Sequence, residues 1–217
     1  MDESTDTEKK EKYKAQSYRL SKEDVDNVKK LLSLMGVSYI QADGEAEGYA
    51  SELCKIGYVD GVVTEDMDSL AFGTPILIRS NIDRTIKRRD VISVINMEKI
   101  LQEMELTFDE FLDVCIMSGC DYCENIKGIG SNKSFQKIKE HKTIEKFVEN
   151  YSGVSDEYLP SVQKSRELFK IFDKKLTKEN IKKSESPLDI ASLKSFLVET
   201  CGMTEKRFHN AMMKIRN

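Results

Sequence analysis

The order of apolar and polar positions divides the chain into a first part of mixed helices and strands and a second, helical part. Apolar residues recur at helical spacing from Val25 to Met35, after a capping pair at Ser21 and Asp24 and before a terminal Gly36. This pattern predicts the first helix. Residues 1–20 have no apolar periodicity, so they are interpreted as a charged extension.

Short apolar segments predict strands on both sides of a second helix. The sequence VSYIQA (37–42) predicts a strand, and DGEAEGYASELCKIG (43–57) predicts a helix opened by Asp43 and closed by Gly57. YVDGVVTE (58–65) predicts a further strand, and SLAFG (69–73) predicts a short link. PILIRS (75–80) and TIKRRDVISVI (85–95) predict a strand pair, with a hairpin as the expected arrangement. The strand–helix–strand order favours an α/β fold with a parallel sheet.

From Asn96 onward the pattern is helical almost to the end of the chain, with a predicted loop at 151–160 and a break at SESP (184–187). We find no internal repeat. The predicted organisation has four parts: a charged extension (1–20), an α/β region (21–118), a segment with a glycine-containing hairpin followed by a helix (119–150) and a helical region (151–217).

Composition restricts the class of protein without identifying it. The 217 residues are 39% hydrophobic and 33% charged, and no apolar run approaches the roughly 20 residues that span a bilayer. The charged N-terminus lacks the apolar core of a signal peptide, and an odd number of cysteines, five, does not suggest a disulfide framework, so we expect an intracellular protein. Cys120 and Cys123 form a CxxC, for which a structural zinc site is the alternative to reduced thiols.

The net charge of −4 does not indicate a nucleic-acid binder, although three segments are locally basic, at 86–89, 133–142 and 174–183. Solvated helix faces explain such segments as well as a binding surface does.

Two pairs of acidic residues follow predicted strands. Asp66 and Asp68 leave one strand with Glu65 facing away, and Glu45 and Glu47 stand at the start of the helix after another. Because ligands collect at the carboxyl ends of strands in open α/β sheets, we expect the pairs to meet there. At 4 Å two such charges repel by about 4 kcal/mol at an effective dielectric constant of about 20, so a cation is needed.

Oxygen ligands favour Mg²⁺ or Mn²⁺ over zinc, and paired ions of this kind cleave phosphodiesters. The alternative is that the acids only cap helices and turns.

A fifth acid, Asp121, follows a helix and a break at Gly119. Seven residues later, the turn IKGIG, with Gly128 and Gly130, opens a helix that carries Lys133 and Lys137. Free N–H groups at a helix start bind phosphate, although a GxG on its own is usually just a turn.

The motifs together resemble the flap endonucleases, structure-specific 5′ nucleases of DNA replication and repair. The resemblance rests on LLSLMGVSYIQADGEAEG, VVTEDMDSLAFGTPILIR and CIMSGCDYCENIKGIG, and it continues more loosely to KSFLVETCGMTEKRF. The related excision-repair and mismatch-repair nucleases are alternatives to the flap endonucleases. The resemblance implies a 5′-nuclease (PIN-like) core, so that region 21–118 is an internal (I-type) nuclease region.

The resemblance also implies roles for individual residues. The metal-site and catalytic acids, holding two Mg²⁺ ions for which Mn²⁺ can substitute, are Glu45, Glu47, Asp66, Asp68 and Asp121. Positions near DNA are Glu45, Gly119, Asp121, Gly128, Gly130, Lys133 and Lys137. Segment 119–150 matches a helix–two-turn–helix that grips duplex DNA, usually around a monovalent cation. Ser131 and Asn132 replace the usual Pro-Lys pair, which leaves Lys133 as the expected phosphate contact.

The family's N-terminal half, with two further metal carboxylates and a catalytic lysine and arginine, has no counterpart in the sequence, and neither has its usual sliding-clamp motif. We therefore expect flap or junction DNA as partner, with a separate N-terminal half and the clamp as further candidates. The resemblance implies hydrolysis of phosphodiesters by endonuclease and 5′–3′ exonuclease action. An inactive DNA-junction-binding fragment and a non-functional remnant are alternatives. By resemblance we expect a nuclear location, and a viral or organellar origin is the alternative.

Overall fold

The computed structural model describes residues 20–80, 91–151, 153–173 and 175–215. The chain forms two compact units, the described parts of Met1–Gln41 with Lys182–Asn217, and Ala42–Ile181. Within the described ranges no helix is long and apolar enough to span a bilayer.

The first unit is helical. Its elements are the helix Lys22–Leu34, the helix Ile190–Lys194 with a π-helical continuation Ser195–Thr200, and the helix Glu205–Ile215. The predicted capping box is confirmed, because Ser21 and Asp24 each accept the other's backbone N–H, at 2.8 and 3.1 Å. A small apolar cluster around Leu193, Phe208 and Met212 holds these helices together.

The second unit contains a three-stranded sheet in the order β1 (Val62–Val63), β2 (Ile76–Ser80) and β3 (Ile92–Asn96). β1 runs parallel to β2, and β2 pairs antiparallel with β3, which confirms the predicted pairing of the last two strands. The sheet is therefore mixed, and the predicted parallel arrangement holds for β1 and β2 alone among these strands. Residues 81–90, which include the first part of the predicted strand 85–95, lie outside the described residues.

The described residues of this unit also form seven helices, most of which contribute to the same apolar core as the sheet. They are Ala46–Lys55, Asp68–Ala71, Met97–Met104, Phe108–Ser118, Ser131–His141, Ile144–Val148 and Tyr158–Phe169. Fully buried side chains from the sheet and from the middle helices, Leu77, Leu112, Ile116, Met117 and Ile138, form the core. The burial of these apolar side chains stabilises the unit and fixes the ends of its strands.

A buried ion-pair network joins three of these helices. The guanidinium of Arg166 donates two hydrogen bonds of 2.7 Å to the carboxylate of Asp113 and also binds Glu145. Asp113 is almost fully buried, and its second oxygen also accepts the backbone N–H of Ile144 at 3.4 Å. Because a buried charge is costly without a partner, the network fixes the relative position of the helices.

Four local predictions were wrong. Residues 37–42 form no strand, because only Tyr39 makes a bridge, to Ser184. Asp43 does not open the next helix, whose N-cap is Glu45. The link at 69–73 is largely the short helix Asp68–Ala71. The loop 151–160 is shorter than predicted, because Pro160 lies in the first turn of a helix. Proline is tolerated there, since the backbone N–H groups of a first turn have no partner within the helix.

Candidate active site

Asp66 and Asp68 lie just beyond the end of β1, as the sequence indicates. Asp68 begins the helix Asp68–Ala71, and its backbone N–H donates to the carboxylate of Asp66 at 2.9 Å. Glu65 is directed elsewhere: it accepts the backbone N–H of Ser80 at 2.9 Å and binds Arg79 at 3.2 Å. Glu65 therefore has a structural role at this strand end, whereas the carboxylates of Asp66 and Asp68 remain available for binding.

Glu45 and Glu47 lie at the start of the helix Ala46–Lys55. Glu45 is its exposed N-cap residue and makes no capping hydrogen bond, whereas Glu47 is half-buried in the first turn. Gly48 makes this placement possible, because a Cβ there would lie 2.8 Å from the ring of Phe72. A larger residue at position 48 would push the helix, and with it Glu47, away from the segment that carries Asp68.

Two buried hydroxyls, which the sequence analysis missed, hold the same two elements together. The Ser51 hydroxyl lies 2.5 Å from that of Thr74, 2.6 Å from the carbonyl of Glu47 and 3.4 Å from the carbonyl of Ser69. Ser51 and Thr74 are both completely buried. They connect the backbone of Glu47 to the residue that follows Asp68. Because Ser51 and Thr74 are small residues 23 positions apart in the sequence, their contact leaves no periodic signal there.

Asp121 lies on a third element, the turn that follows the helix Phe108–Ser118. The helix Phe108–Ser118 ends at Gly119, whose φ of 99° only glycine adopts readily. Cys120 and Cys123 then exchange both backbone hydrogen bonds, at 2.9 and 3.2 Å, so that Asp121 and Tyr122 form the tip of a tight turn. All five cysteines are free thiols.

The acids act on one another electrostatically. Burial raises the pKa of Asp68, and repulsion from Asp66, Asp121 and Glu47 raises it further. Burial also raises the pKa of the Tyr122 hydroxyl, with Glu45 and Asp121 as the next causes. The five acids that the sequence singled out therefore belong to one neighbourhood of negative potential.

Within the part of the chain that the structure describes, the five acids as a set have no positive partner. Among the described residues, no lysine or arginine forms an ion pair with any of them. Nor do any three His, Cys, Asp or Glu side chains in the described ranges stand in an arrangement that could hold a metal ion. A set of carboxylate oxygens alone fits a hard divalent cation and not zinc.

A separate basic turn precedes the helix Ser131–His141. Gly130 is the N-cap of this helix and supplies no side-chain cap, and Gly128 adopts a φ of 81°. The ammonium of Lys133 donates to the carbonyl of Gly128 at 2.8 Å, and that of Lys137 to Glu140 at 2.8 Å. A cavity of about 540 Å³ beside the turn is lined by residues that include Lys127, Lys133, Lys137 and His141.

Part of the chain matches a known protein family. Residues 36–121 match the family model described as XPG I-region. The chain is 38% identical to flap endonuclease 1-A of Sorghum bicolor over 99% of its own length, and it covers 56% of that relative. The chain thus spans about half the length of the curated relatives it matches.

Solved structures show the same fold. The flap endonuclease-1 of Methanococcus jannaschii aligns with 94% of this chain and 60% of its own at a TM-score of 0.71 and 27% identity. The Holliday junction-resolving enzyme GEN1, solved with product DNA and Mg²⁺, aligns with 91% of this chain and 55% of its own, at a TM-score of 0.57 and 19% identity.

Proposed function

We propose that this chain, whose residues 36–121 belong to the XPG I-region family and which resembles flap endonucleases along nearly all its length, is part of a structure-specific 5′ nuclease. Its reaction is hydrolysis of phosphodiester bonds in flap or junction DNA, by endonuclease and 5′–3′ exonuclease action in replication and repair. The nuclear location that the resemblance implies belongs to the same proposal, since the Sorghum relative is eukaryotic.

A single observation carries the proposal: the carboxylates of Asp66, Asp121 and Glu47 repel that of Asp68, and none of the four has a cationic partner among the described residues. If the acids served only as caps, each would bind a nearby N–H group. Among the hydrogen bonds of the described residues only Asp66 does so, while Glu45 makes no side-chain capping bond at its helix. A set of repelling carboxylates lowers its energy when divalent ions bind.

The residues Glu45, Glu47, Asp66, Asp68 and Asp121 would hold two Mg²⁺ ions, or Mn²⁺ in their place. Bound ions of this kind supply Lewis acidity and an activated water for attack on the phosphodiester. Asp68 has the most restricted position, because its backbone is fixed by Asp66 and its neighbour Ser69 by Ser51. The chain's own contribution is to hold the five oxygen donors on three separate elements.

Segment 119–150 would grip the duplex. The free N–H groups at the start of the helix Ser131–His141 and the lysines at 127, 133 and 137 fit DNA phosphates. Lys133 is already held against the carbonyl of Gly128, so its ammonium stands over the turn. The monovalent cation at this segment rests on the resemblance alone. Gly119 and Glu45 would lie beside the DNA near the acids, and a sliding clamp remains an expectation of the resemblance alone.

The test is cleavage of a 5′-flap DNA labelled on the flap, in Mg²⁺ and separately in Mn²⁺. The wild-type chain is compared with Asp68→Ala and with Glu65→Gln, because Glu65 lies on the same strand end but binds Ser80 and Arg79. Cutting at the junction that Asp68→Ala abolishes and Glu65→Gln retains supports the proposal. Equal cutting by all three proteins would point to a contaminating nuclease and refute the assignment.

The second candidate is a DNA-junction-binding module without turnover, which the basic turn supports independently of the acids. Fluorescence anisotropy with the same DNA in Ca²⁺ separates the two. Binding that Lys133→Met weakens at least about tenfold, with no product in Mg²⁺ or Mn²⁺ at any protein concentration, would favour the binding module over the enzyme.

A further inference from the structure

The hydroxyls of Thr74 and Ser51 form a hydrogen-bond chain that ends on the backbone of Glu47. Ser51 lies 2.6 Å from the carbonyl oxygen of Glu47, which can only accept, so Ser51 donates its single proton there. The carbonyl of Ser69, at 3.4 Å, is the more distant acceptor. The contact of 2.5 Å between the two hydroxyls therefore requires Thr74 to be the donor. Both residues are 0% exposed, so bulk water does not compete for either proton.

The backbone of Thr74 is bound to the helix Asp68–Ala71. Its N–H donates to the carbonyl of Ser69 at 3.0 Å, and the N–H of Gly73 donates to the carbonyl of Leu70 at 2.9 Å. Gly73 adopts a φ of 82°, so the helix ends in a turn with a left-handed glycine that brings the next residue back onto it. Thr74 is thus held against the second residue of this helix.

Thr74 therefore connects two acids that lie on different elements. Its side chain reaches the backbone of Glu47 through Ser51, and its backbone N–H binds the residue that follows Asp68. All of these contacts are made by hydroxyl, N–H and carbonyl groups. The connection consequently positions the two acids without using the oxygens of their carboxylates.

We infer that Ser51 and Thr74 are positioning residues of the proposed cation site, which hold Glu47 and Asp68 at a set separation and thereby raise its affinity for divalent ions. The two carboxylates repel one another, so a connection between their backbones is needed to keep them close before an ion binds. Groups that orient metal ligands from behind strengthen metal binding. The inference rests on the proposed function, because it assigns the two hydroxyls to the same acids.

The first experiment measures Mn²⁺ binding to the whole chain by isothermal titration calorimetry. Ser51→Ala removes the middle hydroxyl, and Thr74→Val removes the first hydroxyl while keeping the shape of the side chain. Each should weaken Mn²⁺ binding about tenfold. The double variant should bind no more weakly than either single variant, because both changes break the same chain. Thr74→Ser keeps the hydroxyl and should bind Mn²⁺ nearly as well as the wild type.

Ser165→Ala is the matched control. Ser165 is also 0% exposed, and its hydroxyl donates to the carbonyl of Ser161, four residues earlier, at 2.8 Å, as that of Ser51 does to Glu47. It lies on the helix Tyr158–Phe169, outside the three elements that carry the acids. A general effect of removing a buried serine hydroxyl would appear in both variants, whereas Mn²⁺ affinity should fall for Ser51→Ala alone.

Hydrogen exchange without metal tests the connection separately from the chemistry. The backbone amides at 49–52 and 72–74 should exchange at least about threefold faster in Ser51→Ala than in the wild type and in Ser165→Ala, because the two elements open more often when the connection is broken. Ser51→Ala decides the comparison if circular dichroism shows that Thr74→Val is unfolded.

Equal Mn²⁺ affinity of the wild type, Ser51→Ala and Thr74→Val would overturn the inference and leave the proposed function standing. An equal loss of affinity in Ser165→Ala would also overturn it. A wild type that binds no Mn²⁺, with faster exchange in Ser51→Ala, would count against the proposed function while supporting the positioning of the two acids. No Mn²⁺ binding together with unchanged exchange would refute both.

Discussion

The backbone N–H of Asp68 donates to the carboxylate of Asp66 at 2.9 Å, so the first acid of the pair fixes the start of the helix that carries the second. Asp66 thus has a local structural bond, while burial and repulsion from three other carboxylates raise the pKa of Asp68. The two residues, although only two positions apart, should respond differently to substitution and to cations.

Divalent cations should stabilise the protein through this site. At a Mn²⁺ concentration of 100 times the dissociation constant, ligand linkage adds about 2.7 kcal/mol to the free energy of unfolding. We expect a clear rise of the melting temperature for the wild type and for Glu65→Gln, and none for Asp68→Ala, by differential scanning calorimetry. An equal rise for Asp68→Ala would show that the ion binds elsewhere.

Loss of the half-buried guanidinium of Arg166 should be strongly destabilising. Arg166→Met leaves the carboxylate of Asp113 buried without its two 2.7 Å hydrogen bonds, which costs about 3–5 kcal/mol. Lys170→Ala is the matched control, because Lys170 pairs with an exposed acid, Asp109, and should cost less than about 1 kcal/mol. Urea unfolding followed by circular dichroism measures both. Similar costs for the two variants would contradict the structural role of the network.

The capping box at Thr107 predicts a specific pH dependence. The pKa of Glu110 is lowered mainly because its carboxylate accepts the backbone N–H of Thr107 at 2.7 Å, and Lys142 lowers it further. A lowered pKa in the folded state means that this stabilisation is complete above the unfolded value of about 4.3 and is lost as the pH falls through the folded value.

Glu110→Gln should therefore be less stable than the wild type at pH 7, with a difference that disappears in acid. Thr107→Ala keeps the backbone donor, so it should cost about 1 kcal/mol while retaining most of the pH dependence. Urea titrations between pH 3 and pH 7 test this. A stability difference for Glu110→Gln that is constant with pH would contradict the assignment.

The two glycines of the basic turn should differ although both are exposed. A Cβ would meet no atom within 4 Å at either position, but Gly128 has a φ of 81° and Gly130 a φ of −99°. Gly128→Ala should cost about 1–2 kcal/mol and Gly130→Ala much less, because only the first forces an L-residue into the left-handed region. Chemical denaturation distinguishes them, and equal costs would show that the turn rearranges.

The sequence by itself determined the features that depend on neighbouring residues. Ser21 and Asp24 form their capping box, the segment at 75–80 pairs with the following strand, and Gly130 opens a helix, because capping, alternation and turn preferences act over a few positions. It also identified the acids, since charged residues directly after apolar strands are visible in the chain order.

Only the tertiary structure decided the features that depend on distant partners. Residues 37–42 have strand composition but form no strand in the described structure, because a strand exists only where a neighbour pairs with it. Gly48 and the pair Ser51 and Thr74 bring Glu47 towards Asp68 through contacts between residues far apart in sequence. The alternation in β1 to β3 shows two apolar faces. Only the packing of the described residues shows that Val62 and Leu77 on one face are buried, while Val63 and Val94 on the other are exposed.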